Sequence, residues 1–252
     1  MEKLFIKSRE GRKIAVIIEK TENPAGLAFI MHGLGDSKNS PHIELFARCF
    51  RENNYSVVRF DARNTNGESE GKFEDADVGN YFTDLEDVIA WAKQRDFYQE
   101  PFILCGHSLG GMCSAFYAEN YPREVKALAP ISTTINAALS RENYSAAELK
   151  NWEKTGWLAE DWDGEIIRLK WSYMQAKENF DLLPRAGKLT MPVVLIVGEF
   201  DKGTPPAHQR ILFDKLPGPK EIHIIKGAPH TFREREHLDE VYRILDEWIK
   251  KI

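Results

Sequence analysis

Phe102-Ile103-Leu104-Cys105-Gly106-His107-Ser108-Leu109-Gly110-Gly111-Met112 is the stretch that decides the fold. Four apolar residues in a row suit a strand buried on both faces. From Met112 to Tyr121 the pattern is helical, and it stops near Pro122. Between strand and helix, Gly106 to Gly110 fits G-x-S-x-G, which requires a very tight turn with its serine in a strained backbone conformation. Side chains at the flanking positions would collide with neighbouring backbone, so Gly106 and Gly110 suit the turn. The turn lifts the Ser108 hydroxyl to the C-terminal edge of a sheet. It also sets a helix N-terminus beneath it, where the dipole favours developing negative charge. Five residues alone also fit an ordinary glycine-rich turn with an incidental serine, so the partners elsewhere in the chain decide.

Outward from this stretch, strands and helices alternate. Leu4 to Ser8 and Lys13 to Glu19 are β-rich runs split by Arg9-Glu10-Gly11-Arg12, a hairpin pattern. Leu27 to Met31, Tyr55 to Phe60, Val125 to Ile131, Val193 to Val197 and, more weakly, Glu221 to Ile225 read as strands. Ile43 to Arg51, the face made by Leu85, Val88, Ile89 and Ala92, and Val241 to Ile249 read as helices. The alternation predicts a mostly parallel, doubly wound α/β sheet with helices on both faces.

One segment departs from it. From residue 133 to 184 there is no strong buried strand, and four of the six Trp fall there: Trp152, Trp157, Trp162 and Trp171. Acidic residues cluster there too, Glu142, Glu160, Asp163 and Glu165 among them. An insertion of this length is usually functional. We expect an α/β core of residues 1–132 and 185–252 and an inserted cap of residues 133–184. Trp152, Trp157 and Trp162 are the substrate-wall candidates, although these rings could equally serve only to pack the cap.

A serine hydroxyl is a poor nucleophile at neutral pH. It needs a base, and the base needs an orienting carboxylate. Asp201 lies in the loop after Val193 to Val197, and His230 in the loop after the last strand, so the order is serine, acid, histidine. Glu199, two residues before Asp201, is its rival. His223 falls inside the last strand, His208 and His237 read as helix-surface residues, and His42 falls at a helix start. The oxyanion of acyl transfer needs backbone donors. The amide of Leu109, directly after Ser108, is one candidate. The amide of Leu34, in His32-Gly33-Leu34-Gly35, is the other.

Several classes are excluded or disfavoured. The net charge of −5 over 252 residues disfavours nucleic acid as a partner. No apolar run reaches the roughly 18–20 residues of a membrane span. Three Cys do not make a disulfide framework, and Cys105 and Cys113 read as small packing residues. The start of the chain runs straight into strand-like sequence without a signal-type apolar segment, so a cytoplasmic setting is expected. Gly33-x-Gly35 lacks the rest of a dinucleotide fingerprint, and the His, Asp and Glu spacings match no metal-ligand pattern. No cofactor and no metal are therefore expected. A homodimer is compatible with the sequence, which fixes no oligomeric state.

Together these residues resemble the α/β-hydrolase superfamily, over nearly the whole chain. Within it, Ser56-Val57-Val58-Arg59-Phe60-Asp61, Gly67-Glu68-Ser69-Glu70-Gly71-Lys72-Phe73 and a modest cap look like the cinnamoyl/feruloyl esterases and the monoacylglycerol-lipase and serine-aminopeptidase-like group. Asn64-Thr65-Asn66-Gly67 departs from the Gly-His-Gly-like stretch usual there, and His-Gly-Leu-Gly-Asp from the usual His-Gly-Phe form. The resemblance implies a serine ester hydrolase on a small-molecule ester with an aromatic (hydroxycinnamoyl) or short acyl group. The alternatives are monoacylglycerol, thioester or aminopeptidase-like hydrolysis, or a non-catalytic binding protein of the same fold.

Overall fold

The computed structural model describes residues 1–162 and 165–252. Asp163, and the side chains of Trp162 and Glu165, lie outside the described residues. The described chain forms an eight-stranded sheet in the order β1-β2-β4-β3-β5-β6-β9-β10. The strands are β1 (Glu2–Lys7), β2 (Lys13–Glu19), β3 (Gly26–Met31), β4 (Tyr55–Phe60), β5 (Phe102–His107), β6 (Val125–Ile131), β9 (Val193–Gly198) and β10 (Lys220–Ile225). β2 runs antiparallel to both of its neighbours, and the block from β4 to β10 is parallel.

Residues alternate between two cores along each strand, as the period of two requires. Leu27, Phe29 and Met31 of β3 and Leu104 of β5 face one core, with residues of α2 (Val78–Ala92) and α3 (Leu109–Asn120). Ala28 and Ile30 of β3 and Ile103 and Cys105 of β5 face the other, with α1 (Pro41–Glu52) and α8 (Arg235–Ile249). Unbroken apolar strands are therefore buried on both faces. Cys105 and Cys113 are buried and free, and burial holds both thiols above their ordinary pKa.

The insertion carries α4 (Ala137–Arg141), α5 (Ala146–Thr155), an antiparallel hairpin of β7 (Trp157–Trp162) and β8 (Glu165–Lys170), and α6 (Trp171–Lys177). A capping box between Ser145 and Glu148 starts α5, and Gly156 at φ 78° ends it. The hairpin differs from the expectation of no strong strand in this segment. Its signal is alternation rather than an apolar run: Ile167 and Leu169 are buried while Ile166 is exposed.

The insertion rests on loops at the C-terminal ends of the core strands. Lys170 pairs with Asp75, in the 3₁₀ turn Phe73–Asp75 that follows β4. Asn143 Nδ2 donates to the Gly203 carbonyl, 2.8 Å away, in the loop after β9. His208, expected on a helix surface, is instead buried in α7 (Pro206–Lys215), with Nε2 3.1 Å from Glu142 Oε2 of the insertion.

Candidate active site

Strand register assembles the site. Met31 pairs with Gly106, Ile131 with both His107 and Ile196, and Gly198 with Ile225. The loops leaving β3, β5, β9 and β10 therefore emerge on one edge of the sheet. The strand order reverses between β3 and β5, and a crevice opens at such a point.

Ser108 follows β5 directly at φ 52°, ψ −115°, a conformation that costs a non-glycine residue about 1–3 kcal/mol. Its backbone is held on both sides. The Ser108 N–H donates to the Ile131 carbonyl at 2.9 Å, and the Ser108 carbonyl accepts from Met112 N at 3.1 Å and Thr134 N at 3.2 Å. A Cβ on Gly106 would meet the Gly110 carbonyl, and one on Gly110 would meet the carbonyl oxygens of Met31 and His32. Both positions therefore need glycine.

Ser108 Oγ is 3.0 Å from His230 Nε2, and His230 Nδ1 is 2.8 Å from Asp201 Oδ2. Asp201 is buried. Its Oδ1 accepts the Thr204 N–H at 2.7 Å, and Oδ2 is 2.9 Å from the Thr204 hydroxyl. Burial pushes this carboxyl's pKa up, but His230 and Thr204 outweigh burial and hold it below the ordinary carboxylate value. A carboxylate only accepts hydrogen bonds, so His230 Nδ1 carries the proton and Nε2 is free to accept from Ser108. That arrangement can draw a proton from the hydroxyl and return it to a leaving group. Glu199 is exposed and accepts the Gly227 N–H at 2.8 Å, so its bond goes to the loop backbone and not to His230.

Thr204 escaped the sequence reading. The Asp201-x-x-Thr204 spacing was its signal, because Asp side chains commonly bond backbone N–H groups a few residues on.

The loop after β3 abuts the serine: a Cβ on Gly33 would lie 3.0 Å from Ser108 Cβ. The Gly33 carbonyl accepts from His32 Nδ1 at 2.7 Å and from the Tyr81 hydroxyl at 3.4 Å. The tautomer is fixed, because His32 Nε2 accepts the Ala62 N–H at 3.0 Å. Burial lowers the His32 pKa and keeps the ring neutral. In a trans peptide the N–H points opposite the carbonyl, so this anchoring turns the Leu34 amide away from His32. Leu109 is the first residue of α3, where amides lack intrahelical partners.

The cap candidates are placed apart from these groups. Trp152 is buried inside the insertion: its Nε1 donates to the Leu169 carbonyl at 3.2 Å, and its ring stands edge-on to Tyr144 and Trp171. Trp157 is half-buried, with the Arg168 guanidinium 4.3 Å above its ring. The side chain of Trp162 lies outside the described residues. Asp36, His42 and His107 do gather into one cluster, although no spacing in the sequence suggested it.

The alpha/beta hydrolase fold family matches residues 29–163, and the chain belongs to that family as a serine hydrolase. Among curated proteins it is similar to the mitochondrial palmitoyl-protein thioesterase ABHD10 of Bos taurus, at 23% identity over 90% of this chain and 74% of that protein. The Homo sapiens protein of the same name is 24% identical over 79% of this chain and 64% of its own length, so the match spans just under two thirds of that relative. Among solved structures, ferulic acid-bound Est1E from Butyrivibrio proteoclasticus superposes with a TM-score of 0.85 at 23% identity, over 98% of each chain. Alpha/beta hydrolase domain-containing protein 10 from mouse superposes with a TM-score of 0.83 at 22% identity, over 100% of this chain and 99% of that one. Among the described residues no helix is long and apolar enough to cross a membrane.

Proposed function

We infer that the protein hydrolyses carboxylic esters through an acyl-enzyme on Ser108. The observation that carries this reading is the run from Asp201 Oδ2 to His230 Nδ1 (2.8 Å) and from His230 Nε2 to Ser108 Oγ (3.0 Å), at a serine held with positive φ. Ser108 Oγ attacks the ester carbonyl carbon while its proton passes to His230 Nε2. Asp201 keeps the Nδ1 proton in place and stabilises the imidazolium. The carbonyl oxygen gains the negative charge, opposite the amides of Leu34 and Leu109. Collapse of the adduct breaks the bond to the alcohol, which leaves with the proton from His230. Water then attacks the acyl-enzyme by the same route and releases the acid.

Residues 133–184 act as a cap, because they rest on segments that follow β4 and β9, at the edge of the sheet from which Ser108 and Asp201 emerge. Fluorophosphonate labelling and turnover of short p-nitrophenyl esters test the reading. Wild type labels and turns over, and Ser108→Ala does neither. Turnover by Ser108→Ala near the wild-type rate sinks the mechanism.

A second substrate class is favoured by a specific likeness. The ABHD10 relatives are called palmitoyl-protein thioesterases, and an acyl thioester would pass through the same acyl-enzyme. Aromatic acyl groups rest on the likeness to ferulic acid-bound Est1E. A panel of hydroxycinnamate esters, p-nitrophenyl esters of graded length and long-chain acyl thioesters ranks the three by kcat/KM. The cytoplasm is the compartment read from the sequence, while the ABHD10 relatives are called mitochondrial, and cell fractionation decides between them.

A further inference from the structure

Beside the serine, on the far side of His107, lies a second group of polar side chains that ester hydrolysis leaves unused. Asp36 lies in the turn after β3, His42 in the first turn of α1, and His107 ends β5. Asp36 Oδ2 is 3.5 Å from His42 Nε2 and 3.7 Å from His107 Nδ1, and the three atoms lie within 4.8 Å of one another. Both histidines are almost wholly buried, and neither His42 Nε2 nor His107 Nδ1 has a hydrogen-bond partner among the described residues. These separations exceed a hydrogen bond of about 2.7–3.2 Å. Burial without a partner is costly for such atoms, so something else should engage them.

The chemistry of the three atoms narrows what that is. The His107 ring has its other nitrogen committed: Nε2 is 3.0 Å from the His230 carbonyl oxygen, which can only accept, so Nε2 carries the proton. Nδ1 is thus the ring nitrogen turned towards Asp36, whose Oδ2 lies 3.7 Å away. Asp36 Oδ1 is held separately by the Ser40 hydroxyl at 3.1 Å, which leaves Oδ2 for the histidines. Asp36 Oδ2, His42 Nε2 and His107 Nδ1 thus gather round one point, where each can offer a lone pair to a Lewis acid. Zinc bound tetrahedrally at about 2.0–2.1 Å sets ligand atoms roughly 3.3–3.4 Å apart, close to the 3.5 and 3.7 Å found here. A metal-ligating histidine almost always donates its other N–H to a carboxylate or backbone carbonyl, as His107 does to His230.

We propose that Asp36, His42 and His107 form a binding site for a divalent transition-metal ion of the zinc type, with a fourth position open to water. Asp36 has 24% of its side chain exposed, which gives the ion a route in. The ion would brace the loop that carries His230, because His107 bonds both to the metal and to the His230 carbonyl. It takes no part in the ester chemistry, so its test needs no substrate.

Chelator-treated full-length protein is titrated with Zn²⁺ by calorimetry and with Co²⁺ by visible absorption. One ion per chain is expected, with the strong visible band of tetrahedral cobalt. Asp36→Asn and His42→Gln each weaken binding about 100-fold or more, since loss of a ligand should cost at least what loss of an outer partner does. His230→Ala retains binding, because only the backbone of His230 is involved. The long-range imidazole ¹⁵N spectrum of the wild type reads the site without any variant. Zn²⁺ shifts His107 Nδ1 and His42 Nε2 and leaves the His107 Nε2 proton in place. The proposal is overturned by an absence of stoichiometric binding, by binding that survives in well-folded Asp36→Asn and His42→Gln, by its loss in His230→Ala, or by shifts at His230 or His32 instead.

Discussion

Asp201→Asn separates the proposed relay from a merely structural contact, and the structure sets its size. Oδ1 of Asp201 accepts the Thr204 N–H at 2.7 Å. An asparagine must offer its carbonyl oxygen to that donor, because its own NH₂ there would face an N–H. The NH₂ then occupies the Oδ2 position, 2.8 Å from His230 Nδ1. His230 must accept from it, so the ring proton moves to Nε2 and points at Ser108, which loses its base. Flipping the amide back leaves the buried Thr204 N–H unpaired, at about 1–3 kcal/mol. The neutral amide also gives up the charge-assisted bond to the forming imidazolium, about 1.5–3 kcal/mol. Together these cost roughly 10²- to 10⁴-fold in kcat/KM. Steady-state hydrolysis of a short p-nitrophenyl ester measures the loss, with thermal unfolding confirming that the variant folds. Glu199→Gln is the control. Its amide oxygen can still accept the Gly227 N–H, and the rate should stay within about twofold. A loss below tenfold in folded Asp201→Asn, or an equal loss in Glu199→Gln, refutes the reasoning.

Two further perturbations test other parts. His32→Gln removes the ring that fixes the Gly33 carbonyl, and with it the aim of the Leu34 amide. The loss of one oxyanion donor costs about 10²–10³-fold in kcat, so a misaimed donor should cost about tenfold or more, with KM little changed. A rise in KM at constant kcat would remove His32 from the oxyanion loop. Glu119 is fully buried at the end of α3, with no hydrogen-bond partner for either oxygen among the described residues, and burial pushes its pKa up from 4.5 to about 8. The folded protein therefore binds more protons than the unfolded chain between about pH 4.5 and 8, and stability falls as pH rises through that window. Urea midpoints should drop from pH 5 to pH 9 in the wild type and drop less in Glu119→Gln. Equal drops in both proteins would assign the effect elsewhere.

The parallel strands were legible because residues such as Leu27 to Met31 and Val193 to Val197 are buried on both sides, which leaves an unbroken apolar run. Ser108 and Asp201 could be named as candidates because each follows such a strand, and His230 because its loop follows the last strand, β10, whose Lys220-Glu221-Ile222-His223 start gives only a weak run. The β7–β8 hairpin was not legible by that criterion, since one of its faces meets the solvent. Thr204 and His32 were missed as partners because their work lies in hydrogen bonds to backbone and to one carboxylate, which composition does not mark. The cluster of Asp36, His42 and His107 joins a turn, a helix start and a strand end. Its spacing in sequence carries no period, and only the pairing of β3 with β5 brings Asp36 near His107.

The same strand order explains why His107, the unspecified residue between Gly106 and Ser108, matters. His230 follows β10, yet its ring must reach Ser108 after β5. β6 and β9 lie between them, so the loop must return across three strand spacings, roughly 14 Å. It crosses the end of β9 closely. A Cβ on Gly198 would meet the carbonyl oxygens of Ala228 and Pro229, and the Phe200 N–H donates to the Ala228 carbonyl at 2.8 Å. Its far end is tied by the His107 Nε2–H, donated to the His230 carbonyl at 3.0 Å. The residue before the serine thus fixes the backbone of His230, whose Nε2 lies 3.0 Å from Ser108 Oγ. A ligand bound to the other nitrogen of His107 would act on the candidate site through that single bond.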